Sequence, residues 1–234
     1  MDTFRFRALR VACLIAVVAA GAGQFSHGLH AAEPDGATAL LQLRSGNDRF
    51  VRGASTAVPL GTVTRQSLTR EQHPFAMVLS CADSRVPPEY VFNAGLGELF
   101  VVRSAGEVVD RSVMASLEYG AEHLHIPLLV VMGHESCGAV TAAVQAEHGE
   151  GPNLDYLVTH IRAGMHLSPG ERHELRQAVL ENVEQVINDA MTSSQILRSA
   201  ATSGHLQIVG AYYELGSGHV EFSQPVGASA PTHK

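Results

Sequence analysis

Two short, unbroken apolar runs each lead straight into a motif rich in reactive side chains. Phe75-Ala76-Met77-Val78-Leu79 precedes Ser80-Cys81-Ala82-Asp83-Ser84-Arg85, and Leu128-Leu129-Val130-Val131-Met132 precedes Gly133-His134-Glu135-Ser136-Cys137-Gly138. An apolar run of this length without polar alternation suits a strand buried on both faces, as in a parallel sheet. Open sheets of that kind hold their ligands just past the carboxyl ends of their strands. Both motifs are therefore expected at that rim. Two thiols and one imidazole converging there make a metal site the first hypothesis.

The remaining pattern alternates helices with strands. Residues 38–51 have helical apolar spacing, closed by Gly53. Residues 54–74 read as a surface loop with a short helix from Val63 to Glu71. Leu99 to Arg103 is a second apolar strand. Asp110 is placed to cap a helix whose core stripe is Val113, Leu117, Ala121 and Leu124. A helix starts at Cys137 and is broken by Gly149 to Asn153. Leu154, Leu157, Val158 and Ile161 mark the next helix, and Pro169-Gly170 breaks the pattern again. Glu171 to Ser199 is helical throughout, as one helix or two. Leu206 to Tyr213 is a last strand, turned by Gly216-Ser217-Gly218 towards an edge strand at Val220-Glu221-Phe222. This order gives an α/β fold with a mainly parallel central sheet flanked by helices.

The 234 residues suffice for one domain with a sizeable core, and an apolar fraction of 45% excludes bulk disorder. A formal charge of −7 without a basic block argues against a nucleic-acid partner. Arg5, Arg7 and Arg10 precede the apolar stretch Val11 to Ala22, which is short for a bilayer span. Small residues follow, with Ala20-Gly21-Ala22 and Ala31-Ala32 both available for cleavage. Residues 1–32 thus read as a secretory signal, residues 33–224 as the folded domain and residues 225–234 as a loose tail. The mature chain is expected in the periplasm or outside the cell, with no membrane attachment; an uncleaved anchor is the competing reading. Cleavage leaves Cys81 and Cys137, which in an oxidising compartment can form a disulfide. A bridge, however, needs none of the Asp, Arg and His beside them. A thiol redox protein would want the close C-x-x-C spacing that this chain lacks.

Cys81, His134 and Cys137 together suit tetrahedral Zn²⁺, and three protein ligands with an open fourth position mark a catalytic site. Asp83 and Arg85 can pair, which keeps the carboxylate ionised. It can then accept a hydrogen bond from a zinc-bound hydroxide and orient it. Two thiolates cancel the formal charge of the metal, so a neighbouring carboxylate matters more than beside three neutral imidazoles. Asp83 can alternatively bind zinc itself and close the site, with the Asp83–Arg85 pair as the switch.

The two motifs, in this order and after strands, resemble the β-class carbonic anhydrases. The resemblance runs from about residue 38 to 222. It takes in Gly46-Asn47-Asp48-Arg49-Phe50, Arg85-Val86-Pro87-Pro88-Glu89, Gly97-Glu98-Leu99-Phe100-Val101-Val102-Arg103 and Gly210-Ala211-Tyr212-Tyr213. It implies reversible hydration of CO₂ to bicarbonate and a proton, with one zinc per subunit held by Cys81, His134 and Cys137. It also implies an Asp83–Arg85 dyad, substrate contacts from Gln72 and the Gly138 N–H, and Ala105 as a pocket wall. The N-terminal helix, residues 38–51, would pack on a partner in a homodimer or dimer of dimers. Where the family commonly has Asn, this chain has Glu107, expected to add a charge at the rim of the site. The chain has no Trp, and Val78 stands where a subset of the family builds a bicarbonate pocket, so an open zinc without that pocket is expected. A hydrolase of carbonyl sulfide or carbon disulfide on the same scaffold, and a non-catalytic bicarbonate-binding module, are the alternatives.

Overall fold

A computed structural model describes residues 35–145, 151–165 and 174–226. The signal-like segment, the Pro169-Gly170 break and the tail past Val226 lie outside the described residues. A five-stranded sheet runs in the order β2-β1-β3-β4-β5. Its strands are β1 (Ala76–Cys81), β2 (Leu99–Ser104), β3 (Leu128–His134), β4 (Gln207–Tyr213) and β5 (Val220–Phe222). All neighbours pair in parallel except β5, which returns antiparallel along β4.

Every residue of β1 and β3 is buried, as their unbroken apolar runs require. Successive side chains point to opposite faces. Ala76 and Val78 of β1 join the core under α1 (Gly36–Val51) and α3 (Pro88–Val91). Met77 and Leu79 join the opposite core under α4 (Arg111–Glu122), α7 (Leu175–Ser193) and α8 (Gln195–Thr202). A third cluster at the carboxyl end of the sheet draws on α5 (Gly138–Gln145), α6 (Pro152–Ala163) and α7. From β1 the chain crosses to β2 on one side, then returns to β3 on the other. The crevice between β1 and β3 is therefore the topological switch point, where ligands bind in such sheets.

Local chemistry sets the helix ends. Asp35 caps α1 by accepting from the Thr38 N–H at 2.8 Å, and Gly53 at φ +62° follows its last turn. Asp110 caps α4 through the N–H groups of Ser112 and Val113, both at 2.8 Å. Leu124 falls past the end of α4, yet still packs against the core. The expected helix over 63–71 is shorter, α2 at Thr62–Ser67; none of its residues is buried, so packing does nothing to extend it. The expected break falls between α5 and α6, and Pro152 opens α6 at its first turn after Gly151 at φ +114°. The long helical pattern divides at extended Ser194, whose hydroxyl donates to Glu118 at 2.6 Å and accepts from the Leu197 N–H.

Candidate metal centre

The three predicted ligands meet at the switch point. Cys81 is the last residue of β1, His134 the last of β3, and Cys137 immediately precedes α5. Their donor atoms lie within 4.8 Å of one another, and this is the one such donor cluster among the described residues. All three side chains are buried, and both cysteines are free thiols, which removes the disulfide reading.

The backbone after β3 explains how two of the three donors fit into four residues. Glu135 N–H continues the ladder to Tyr213 O at 2.8 Å, and its carboxylate accepts from Leu215 N–H at 2.9 Å. Ser136 then takes φ +54°, a left-handed turn that brings Cys137 back towards His134. A carbonyl only accepts, so the 2.8 Å contact between His134 Nδ1 and Glu135 O places the ring proton on Nδ1. Nε2 then carries the lone pair; it is fully buried and has no protein hydrogen-bond partner. A buried orphan acceptor beside two sulfurs is what a cation site looks like before the cation. Two sulfurs and one imidazole nitrogen are a donor set that fits zinc.

The sulfur pair behaves as one coupled unit. Cys81 is pulled below the usual thiol value, chiefly by the Cys137 S–H, with burial opposing and His134 assisting. Cys137 is pushed up by the same contact and by burial. Burial disfavours charge on His134, but the adjoining Cys81 sulfur outweighs it and raises its pKa.

Asp83 stands at the edge of this cluster and faces Arg85. Arg85 Nε donates to Oδ1 at 2.9 Å, a terminal nitrogen donates to Oδ2 at 2.7 Å, and the Arg85 backbone N–H donates to Oδ1 at 2.9 Å. These bonds hold the Asp83 carboxyl well below the usual carboxylate range, against the smaller opposing effect of burial. Asp83 Oδ2 is 3.9 Å from His134 Nε2, so the carboxylate adjoins the donor triad with both oxygens engaged by arginine.

Ala105 and Gly138 line a cavity of about 280 Å³ together with Ala139, Ala142, Leu154, Asp155, Leu157 and Val158. Gln72 is not brought to the donors. It is exposed and lies four residues before β1, whose length alone separates Ala76 from Cys81 by about 17 Å. Val78 lies in the core, fully buried.

Glu107 is not at the rim. It is fully buried, and burial, reinforced by the charge of Cys81, pushes its pKa up to about 8. Gly106 at φ +60° and Glu107 at φ +46° form a left-handed turn after β2 that folds the carboxyl inward. There Oε1 accepts from Asn182 Nδ2 at 3.0 Å. Sequence reading passed over Asn182; its signal is a polar residue inside the buried stripe Val179, Val183, Val186 of α7. Arg103 of β2 also supports the site. Its Nε donates to Cys81 O at 2.9 Å and a terminal nitrogen to Asp83 O at 2.5 Å, so it braces the backbone between ligand and dyad.

Known proteins agree with this geometry. The carbonic anhydrase family model matches residues 76–220. A carbonic anhydrase of Mycolicibacterium smegmatis is 40% identical over 193 residues, covering 79% of this chain and 92% of the relative. A solved Coccomyxa β-carbonic anhydrase in complex with acetazolamide superposes with a TM-score of 0.62 at 28% identity, covering 69% of this chain and 78% of that one. One of two tetrameric β-carbonic anhydrases from Sordaria macrospora shares the fold, with a TM-score of 0.60 at 23% identity over 70% of this chain and 86% of that one. With a buried Cys-His-Cys triad at the switch point of the sheet and relatives that match most of its length, the chain belongs to the β-class carbonic anhydrases, zinc enzymes.

Proposed function

We propose that this chain hydrates carbon dioxide reversibly to bicarbonate and a proton, at an open zinc site held by Cys81, His134 and Cys137. The observation that carries the open-site reading is the double engagement of Asp83 by Arg85, which leaves three donors facing one point. Zinc bound there supplies Lewis acidity that brings the ionisation of water near neutral pH. Asp83, kept ionised by Arg85, can only accept; it takes a hydrogen bond from the attacking oxygen and turns its lone pair towards the substrate. Ala105 and the largely apolar cavity it lines receive uncharged CO₂. The Gly138 N–H, in the first turn of α5, donates to the oxygen that gains charge as bicarbonate forms.

Gln72 serves this reading only across a subunit boundary. Leu41 of α1, Leu60, Val63 of α2 and Tyr90 of α3 are large apolar side chains left exposed at 67, 56, 82 and 74%, which supports a homodimer built on this part of the chain. In that assembly the partner supplies the substrate-binding amide. Sedimentation of the mature chain checks it, and a monomer at micromolar concentration counts against it. Residues 1–32 are taken as an export signal, and the mature protein as periplasmic or extracellular; N-terminal sequencing of the processed protein tests that. Among the described residues no helix is long and apolar enough to cross a membrane.

Stopped-flow CO₂ hydration with a zinc measurement on the same sample tests the activity. One zinc per chain with hydration well above the uncatalysed rate is expected. Zinc-loaded protein that turns over carbonyl sulfide or carbon disulfide but not CO₂ would overturn it.

A further inference from the structure

The zinc reading leaves one buried polar network unused, at the turn between β2 and α4. Gly106 N–H donates to Cys81 Sγ at 3.3 Å. Gly106 O accepts from Asn182 Nδ2 at 2.8 Å, and the same amide nitrogen donates to Glu107 Oε1 at 3.0 Å. Asn182 is 1% exposed and Glu107 is fully buried. Gly106 and Glu107 are both left-handed, at φ +60° and +46°. Outside glycine that conformation is uncommon, and strained backbone persists where its surroundings over-determine it. Here the Asn182 side chain grips the turn at its carbonyl and at its carboxyl.

We propose that Asn182 is a positioning residue for the metal centre. Its amide locks the Gly106–Glu107 turn, and the lock aims the Gly106 N–H at the Cys81 sulfur. The proposal rests on the zinc reading above. The role follows from sulfur chemistry. A thiolate that accepts an N–H bond gives up part of its electron density, so the bond sets how strongly that sulfur donates to a metal and which way its lone pairs face. Position 106 also favours glycine, since its φ is +60° and an added Cβ would meet Ile161 Cδ1 at 2.7 Å and Ala139 Cβ at 3.1 Å. The turn is thus held from α7 on one side and packed by α5 and α6 on the other.

The test uses the full mature chain and metals alone. Asn182→Leu keeps the branched shape of the side chain and removes the donor. Its zinc affinity, by competition with a chromogenic chelator, is expected to fall about 10–100-fold. In the cobalt-substituted protein the sulfur-to-metal charge-transfer band is expected to move to lower energy, which loss of fold stability alone would not produce. In wild-type protein loaded with NMR-active cadmium, the Gly106 amide proton is expected to show scalar coupling to the metal through the sulfur. Asn182→Leu with wild-type affinity and an unmoved band overturns the proposal. If that variant does not fold, the wild-type coupling decides: its presence supports the lock and its absence overturns it. Wild-type protein that binds no zinc or cobalt would instead refute the zinc reading itself.

Discussion

Asp83 is two residues from one thiol and 3.9 Å from the imidazole, yet its oxygens are committed to Arg85. Asp83→Asn keeps size and one acceptor but loses the charge that orients the nucleophile. It should retain zinc and lose about 10²–10⁴-fold in CO₂ hydration, the usual range for a positioned proton-handling group. Full activity in a zinc-replete Asp83→Asn enzyme would remove this carboxylate from the chemistry. An open coordination position also predicts inhibition by small anions such as cyanide and azide. Resistance to both would favour the closed alternative, with Asp83 on the metal. At this scale the sequence was informative because metal ligands and the dyad are chemically conspicuous and sit close together in two motifs. Glu107 and Asn182 were harder. A carboxyl drawn as a rim charge turned out to be buried because the backbone before it is left-handed, and no spacing rule reports φ.

Helix α1 shows what an element does beyond its apolar stripe. Asn47 is 2% exposed; its amide donates to Val91 O at 3.2 Å and Gly218 O at 2.8 Å, and its oxygen accepts from Val220 N–H at 2.9 Å. One side chain thus ties α1 to α3 and to the start of β5. Gly46 beside it permits the contact, since an added Cβ would lie 1.9 Å from Phe92 O. Asn47→Ala leaves three buried backbone groups without partners and should cost about 2–4 kcal/mol in denaturant unfolding; a loss below 0.5 kcal/mol, roughly the surface background, would show that water replaces the amide. Strand β4 carries a pH signature. Burial raises the Tyr213 hydroxyl above its usual value. The fold therefore prefers neutral phenol, and that stability is complete below the unfolded value of about 10 and is lost as pH climbs through the folded one. Tyr213→Phe should flatten the alkaline limb of Tm against pH, and an unaltered limb would assign the loss to other groups. Helices and strands were legible where the apolar pattern was strong, as in the unbroken runs of β1 and β3 and the stripe of α7. The solvent-facing α2 was read too long, because propensity without packing sets no boundary.

At the scale of the whole molecule, ligand binding and folding are linked. The donors come from two strand ends and a helix start, so Cys137→Ser should lose metal and thermal stability together. Zinc should raise Tm in a concentration-dependent way, by about 4 kcal/mol of added stability at a thousandfold excess over Kd. Equal melting with and without a strong chelator would mean that the centre contributes nothing to the fold. The parallel sheet and its switch point were readable from the alternation of elements. The side of the sheet on which each helix lies was not, because that depends on long-range packing.

Cys81 and the His134–Cys137 pair bracket β2, the Gly106–Glu107 turn and α4 in sequence. An ion joining them ties off that whole stretch as a loop. A protease cut between α4 and β3 would then yield two pieces that travel as one, clasped at the rim of the sheet, until a chelator unfastens them.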